Sequence, residues 1–148
     1  MTKIILPLIA ASLLCLGAAI SVTAQKELPN PVLAFVGQET YTAASGKTFI
    51  RYKYKVDNSD AYPAAMFAAA PTLPPCGKNT NASRTWVDLY EQNGKRLYGF
   101  CAFTKPSDLN TIWFALERDT PPPSWIYIEL TDRATKTKYK SNLAETVL

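Results

Sequence analysis

The chain has 148 residues, a formal net charge of +4 and no histidine. Without an imidazole group, the sequence excludes the catalytic triads and dyads that use histidine as a base. The positive charge is too small and too dispersed to favour nucleic acid as a partner, and the length suits one domain with its own core.

The N-terminus has the order of segments that is typical of a secretory signal. Lys3 supplies a positive charge, an apolar run covers residues 4–20, and small residues lead to a cleavage site after Ala24. We therefore expect a cleavable signal peptide over residues 1–24 and a secreted or periplasmic location. A permanent anchor and a lipid on Cys15 are the alternatives. The apolar run is shorter than the ~20 residues that span a membrane, so we expect no membrane span after cleavage.

Two strands are predicted early in the mature chain, over residues 31–37 and 48–56. In the second strand apolar and cationic residues alternate, which indicates that one face is buried and the other solvated. The residues expected to face the core are Ile50, Tyr52, Tyr54 and Val56. The residues expected to face solvent are Arg51, Lys53 and Lys55.

A third apolar run covers residues 62–70 and is rich in alanine. It is predicted as a strand, with a short helix as the alternative because alanine favours helix. A proline-rich loop over residues 71–83 follows. It contains Asn81, which begins an N-glycosylation sequence if the host is eukaryotic.

The strongest local signal is a hairpin around Asn93 and Gly94, between strands over residues 86–90 and 97–103. Asn-Gly between apolar alternations favours a two-residue turn with positive φ at both positions. That turn predicts four cross-strand pairs in particular: Tyr90 with Leu97, Leu89 with Tyr98, Val87 with Phe100, and Trp86 with Cys101. The face assigned to the core comprises Val87, Leu89, Tyr98 and Phe100.

The opposite face of the hairpin is also largely apolar. It comprises Trp86, Tyr90, Leu97, Cys101 and Phe103, together with Asp88 and Gly99. Exposed aromatic residues of this kind mark contact sites for sugars or proteins. The alternative, which we favour, is that the 71–83 loop covers them.

Three further strands are predicted over residues 111–117, 125–130 and 136–141, with a turn over residues 131–135. Seven to eight short strands separated by turn signals indicate a single all-β domain, a β-sandwich. The spacing resembles an immunoglobulin-like or fibronectin type III-like domain in architecture, and this resemblance implies no particular function. We place an N-terminal segment at residues 25–30, the β-sandwich at 31–142 and a flexible tail at 143–148.

Removal of the signal peptide would leave Cys76 and Cys101 as the two remaining cysteines. Two thiols in an exported protein form a disulfide by default. Two cysteines and no histidine argue against a cysteine metal site, so we expect neither a metal nor another cofactor.

The sequence predicts no catalytic residues, and its first functional hypothesis is an exported, non-catalytic β-sandwich that binds another protein or a cell-envelope component. The first alternative is a carbohydrate-binding module that stacks sugars on Trp86, Tyr90, Trp113 or Trp125. The second is a small inhibitor of a secreted enzyme that presents the proline-rich loops 71–77 and 119–125 at one end.

A separate hypothesis concerns the basic residues. Those of the second strand could join the lysines near the C-terminus, Lys136, Lys138 and Lys140, in one positive surface for an acidic polysaccharide, an anionic lipid or an acidic partner. The alternative, which we favour, is that lysines on exposed strands deter aggregation between sheets.

Overall fold

The computed structural model describes residues 27–76, 78 and 82–146. The predicted signal peptide, Cys15 and Asn81 lie outside the described residues.

The described residues form eight β-strands in two antiparallel sheets, which confirms the all-β sandwich. The strands are β1 (Leu33–Thr42), β2 (Thr48–Val56), β3 (Thr85–Glu91), β4 (Arg96–Phe100), β5 (Ile112–Glu117), β6 (Trp125–Asp132), β7 (Thr137–Lys140) and β8 (Ala144–Glu145). The three-stranded sheet has the order β1-β2-β5. The five-stranded sheet has the order β4-β3-β6-β7, and β8 also pairs with β6.

The core lies between the two sheets and follows the period of two that a strand imposes on its side chains. In β2, Tyr52, Tyr54 and Val56 are buried, as the alternation predicted. Tyr52 and Tyr54 stack on Phe114 of β5, with ring centroids 5.0 and 6.1 Å apart. The five-stranded sheet contributes fully buried side chains from β3 and β6: Val87, Leu89, Ile126, Ile128 and Leu130.

The strand predicted over residues 62–70 is wrong, and the helical alternative is nearer to what forms. Residues Ala64–Phe67 make a 3₁₀ turn after Pro63, and Ala69 makes only an isolated bridge with Ser83. The turn directs Met66 and Phe67 into the core. The hydroxyl of Thr85 donates a 2.6 Å hydrogen bond to the Met66 carbonyl, which fixes the turn against β3.

The hairpin has a three-residue turn rather than the predicted two-residue turn. Glu91 pairs with Lys95 through a 2.9 Å backbone hydrogen bond, and Gly94 alone of the Asn-Gly pair has positive φ, at 88°. The longer turn pairs Tyr90 with Arg96 instead of Leu97.

The register recovers beyond this irregularity. A bulge at Leu97 absorbs the extra residue, so the predicted pairs Leu89 with Tyr98 and Val87 with Phe100 are confirmed. β4 ends at Phe100, and Trp86 does not pair with Cys101 as predicted. The Cys101 carbonyl instead accepts a hydrogen bond from the Ser83 amide, at 2.9 Å.

Part of the segment assigned to a flexible tail is paired and buried. β8 pairs with the start of β6, and the side chains of Ala144 and Thr146 are buried. Just before β8, the Asn142 side chain accepts a hydrogen bond from the Leu33 amide at 2.8 Å and donates one to the Leu33 carbonyl at 3.0 Å. The side-chain amide of Asn142 thus pairs with Leu33 as a backbone peptide group would, and it holds the chain end against β1.

The structure brings Cys76 and Cys101 to disulfide distance, with Cα atoms 6.2 Å apart. The pair connects the proline-rich loop with the chain that leaves β4.

Candidate functional site

Three of the four aromatic residues predicted to bind a ligand lie on one surface, the outer face of the five-stranded sheet. Because inward and outward positions alternate, Trp86 and Tyr90 of β3 and Trp125 of β6 point away from the core. Trp113 lies on β5 and faces outward from the other sheet. We call the outer face of the five-stranded sheet the aromatic face. It is defined by six residues: Trp86, Asp88, Tyr90, Trp125, Tyr127 and Glu129.

The Trp86 end of the aromatic face is closed by Arg133. The guanidinium lies 4.0 Å from the centre of the Trp86 ring, and Arg133 is only 6% exposed. It donates hydrogen bonds to the carbonyls of Ser83, at 3.0 Å, and Pro74. The proline-rich loop was predicted to cover Trp86. It holds Arg133 through the Pro74 carbonyl, and Arg133 in turn covers the Trp86 ring.

An ion pair between an arginine and an aspartate lies beside this closed end. Arg84 donates two hydrogen bonds, of 2.7 and 2.6 Å, to the buried carboxylate of Asp132. The Asp132 carboxylate also accepts one from the Ala134 amide at 3.0 Å. The hydrogen bonds from Arg84 hold the pKa of Asp132 below its usual value despite its burial. The turn that carries Arg133 is thus fixed on both sides.

The middle of the aromatic face carries a stack of two rings and one cation. The rings of Tyr90 and Tyr127 are 5.2 Å apart and within 16° of parallel. The Lys140 ammonium lies 4.1 Å from the Tyr127 centroid, on β7. Both faces of the Tyr127 ring are therefore in contact with protein, and the two rings do not form a flat platform.

Charged residues separate this stack from Trp86. Asp88 and Glu129 face each other across β3 and β6, an arrangement of like charges that is unfavourable by itself. Arg96 bonds to Asp88 at 2.7 Å, and Lys138 bonds to Glu129 at 2.6 Å. A cation at each edge thus balances the acidic pair.

The Trp125 end of the face is open. Trp125 is 39% exposed and borders a cleft of about 520 Å³. The other lining residues are mostly polar: Glu91, Gln92, Asn93, Pro123 and Ser124. A hydrogen bond of 3.0 Å from the Gln92 amide to the Trp125 carbonyl joins the hairpin turn to the start of β6.

Trp113 belongs to a different cluster, on the three-stranded sheet. The Arg51 guanidinium lies 4.7 Å from the Trp113 ring and 4.8 Å from the Tyr41 ring. Arg51 and Lys53 both bond to Glu39, at 2.9 and 3.0 Å. These contacts, the Lys53 hydrogen bond first, hold the pKa of Glu39 below its usual value.

The single positive surface considered for the basic residues does not form. Arg51 and Lys53 project from the three-stranded sheet, whereas Lys138 and Lys140 project from the five-stranded sheet. The outer faces of a sandwich point in opposite directions, and most of these cations lie beside carboxylates. Lys55 is one example, since it bonds to Asp57 at 2.9 Å.

The face assignments of the hairpin need three corrections. Leu97, which was assigned to the face opposite the core, packs against the core. Tyr98, which was assigned to the core, is 40% exposed and packs 5.2 Å from the Trp113 ring at the edge of the sandwich. Phe103, which was assigned to the opposite face, is buried because the chain leaves the sheet after Phe100 and turns into the core.

The two proline-rich loops lie at opposite ends of the five-stranded sheet. The loop 71–77 contacts Arg133, at the end of β6, whereas the loop 119–125 leads into the start of β6. The full length of the strand separates them, which is roughly 20 Å or more. The inhibitor hypothesis required both loops at one end, and this placement does not provide it.

Sequence reasoning missed three residues of these surfaces. Tyr127 alternates with Trp125 along β6, so the pattern already contained its signal. Arg133 stood inside a predicted turn, and no local pattern marks a cation that covers a distant tryptophan. Tyr98 was placed in the core because an edge strand and a central strand show the same alternation.

Comparisons with protein-family models, with curated proteins and with solved structures found no match to this chain. Within the described residues, no group of three or more metal-ligating side chains is found. In the same part of the chain, none of the helices has the length and apolar character needed to cross a membrane.

Proposed function

We propose that this chain is an exported, non-catalytic β-sandwich that binds another protein through the aromatic face. The observation that carries the proposal is the concentration of tyrosine, tryptophan and arginine on that one face. These three residue types dominate the binding energy of protein interfaces. The best example is the Tyr90–Tyr127–Lys140 stack, flanked by Arg96 of β4.

The contacts within the face support a protein ligand over a sugar at its centre. Rings that stack on each other present edges and hydroxyl groups, which suit hydrogen bonds with a partner. Side chains already held by neighbours lose little conformational entropy when they bind. The two central carboxylates, Asp88 and Glu129, and the cations at the edges would select a partner with the opposite pattern.

The strand order supports an immunoglobulin-like domain. The first, second and fifth strands form one sheet and the third, sixth and seventh lie in the other, the partition of immunoglobulin domains. The fourth strand pairs with the third rather than with the fifth. This architecture hosts many binding proteins and does not identify the partner.

A binding measurement with matched variants tests the proposal. A protein captured by the immobilised mature chain from secreted or envelope fractions of the producing organism is purified, identified and titrated calorimetrically against three forms. These are the wild type, Tyr90→Ala and the control Tyr139→Ala, which removes another half-buried tyrosine from the same sheet. We expect Tyr90→Ala to weaken binding by at least about 2 kcal/mol and Tyr139→Ala to leave it unchanged. Equal binding by all three forms would contradict an interface on the aromatic face.

A second candidate, carbohydrate binding, is favoured by the cleft at Trp125. An exposed indole beside amide, carboxylate and hydroxyl side chains offers a sugar both a stacking surface and hydrogen-bond partners. Electrophoresis in gels that contain hydroxyethylcellulose, xylan or hyaluronate tests this candidate. Retardation of the wild type that Trp125→Ala abolishes and Tyr90→Ala preserves would support it, and unchanged migration in all three gels would reject it for these polymers.

A further inference from the structure

A narrow apolar cleft of about 240 Å³ lies at the open side of the three-stranded sheet. Its walls come from four strands: Tyr41, Phe49, Leu97, Tyr98, Trp113, Phe114, Ala115 and Leu116. Four of these residues are consecutive in β5. Successive side chains of a strand point to opposite faces, so the cleft runs along the backbone edge of β5.

The hydrogen-bond pattern shows which backbone groups face this cleft. The Arg118 amide donates to the Thr48 carbonyl at 3.0 Å, and bonded and non-bonded pairs alternate along an antiparallel ladder. Leu116 and Phe114 therefore bond to β2, while the amides and carbonyls of Trp113 and Ala115 point outward. β5 is the end strand of its sheet, and among the described residues these outward groups have no hydrogen-bond partner.

β5 is also the least protected edge of the sandwich. Natural edge strands carry bulges, lysines or short lengths that discourage pairing with another chain. β1 has a bulge between Phe35 and Gly37, β4 has the bulge at Leu97 and begins with Arg96, and β7 carries two lysines. β5 has six residues, no bulge in its ladder, and one charged side chain at its end, Glu117.

We propose that the free edge of β5 pairs antiparallel with β5 of a second copy of this chain, around a two-fold axis at Ala115. Only outward-facing residues can exchange hydrogen bonds, so Ala115 meets Ala115 and Trp113 meets Glu117 of the second copy. Phe114 then lies beside Leu116 of the second copy, where the apolar side chain enters the cleft next to Tyr98. The small Ala115 side chain lets the two strands approach at the axis.

The charges agree with this register. Arg51 and Lys53 share the single carboxylate of Glu39 beside Trp113. Glu117 bonds to Lys47 of its own chain at 2.6 Å, and in the paired strands this exposed ion pair lies next to Trp113 of the second copy. The Glu117 carboxylate then lies near Arg51 and Lys53 of the second copy as well as its own Lys47. The same contact occurs twice because of the two-fold axis.

The cleft favours a strand over a small molecule. Its volume is below the ~300 Å³ at which pockets for drug-sized ligands begin. Its floor is a row of backbone donors and acceptors, which a second β-strand satisfies and a compact apolar ligand does not. The strand with the matching length, apolar pattern and terminal acid is β5 itself.

Sedimentation equilibrium of the mature, oxidised protein over a wide concentration range tests this inference. We expect wild type to pass from monomer to dimer as its concentration rises. Ala115→Pro should raise the dimer dissociation constant by about tenfold or more, because it removes an outward amide twice per dimer without breaking the ladder to β2. Glu117→Lys should also weaken the dimer, and more strongly at low salt.

The matched control is Thr40→Pro on β1, the opposite edge of the same sheet. The Ala43–Lys47 hydrogen bond sets the alternation there, so the Thr40 amide also points outward. This variant should dimerise like the wild type, and circular dichroism should show that all variants are folded. A wild type that stays monomeric at every concentration, or a dimer that Ala115→Pro and Glu117→Lys leave intact, would overturn the inference. A monomer that binds a synthetic peptide of residues 111–118 would assign the edge to an extended peptide instead.

Discussion

The two ends of the aromatic face carry the same residue type in different surroundings. Trp86 and Trp125 occupy outward positions on neighbouring strands of one sheet. Trp86 lies under Arg133, and the proline-rich loop and the Cys76–Cys101 pair hold that arginine in place. Trp125 lies open beside the hairpin turn. An outward position therefore does not decide whether a tryptophan is structural or available, because the decision comes from contacts made far away in sequence.

The largest loss of stability is expected on reduction of the disulfide between Cys76 and Cys101, at the closed end of the aromatic face. Their separation is 25 residues, and a cross-link over that distance stabilises by roughly 3.5 kcal/mol in the loop-entropy description. Reduction should lower the free energy of unfolding by an amount near this value, and Trp fluorescence should shift to the red as the loop opens. Alkylation followed by mass spectrometry checks the bond, and two free thiols in the native protein would contradict it.

Arg133 should have the next largest effect. Arg133→Ala removes two hydrogen bonds and the cover of Trp86, so we expect a loss of about 2–4 kcal/mol in chemical denaturation. Arg133→Lys is the matched control, because it keeps the charge but not the fork that reaches two carbonyls. If Arg133→Lys is as stable as the wild type, the two-carbonyl bridge is not what closes this end.

Asp132 gives the closed end a dependence on pH. Its pKa in the folded protein is lowered, so the stability it contributes is present above the unfolded value near 4 and is lost as the pH falls through the folded pKa. Asp132→Asn should cost about 2 kcal/mol at neutral pH, because Arg84 loses its carboxylate partner, and less at an acid pH below the folded pKa of Asp132. An equal difference between variant and wild type at both pH values would exclude Asp132 as the source.

The open end should tolerate change better, and substitutions in its turn should cost less than those at the closed end. A Cβ at Gly94 meets no atom within 4 Å, so the only penalty is the positive φ of 88°. Gly94→Ala should cost roughly 1 kcal/mol, and Gly94→Val somewhat more. A melting temperature equal to that of the wild type for both variants would contradict the left-handed conformation of Gly94.

The sequence predicted burial and pairing correctly where the residue pattern of one strand or one hairpin was sufficient to determine them. The alternation of Tyr52, Tyr54 and Val56 predicted the buried face of β2, and the pairs of Val87 and Leu89 with β4 were predicted from the turn. The turn itself was misjudged by one residue, because Asn-Gly also suits a three-residue turn in which only glycine is left-handed. Because the bulge at Leu97 restores the register, the error in turn length does not change the pairs farther along the hairpin.

Long-range contacts account for what the sequence could not predict. Residues 64–67 curl into the core because Thr85 bonds to the Met66 carbonyl, a contact across 19 residues. Residues 142–146 are held by Leu33 and β6, although their position near the C-terminus suggested a flexible tail. The cover of Trp86 by Arg133 is also a long-range contact. The sequence pattern alone therefore does not distinguish the covered Trp86 from the exposed Trp125.

The most direct test of this account compares Trp86→Ala with Trp125→Ala in equilibrium unfolding of the oxidised protein. We expect Trp86→Ala to lose about 2 kcal/mol, roughly half the cost of truncating a fully buried ring, and Trp125→Ala to lose less than about 0.5 kcal/mol. Equal losses, or a larger loss for Trp125→Ala, would contradict the division of the aromatic face into a closed structural end and an open end.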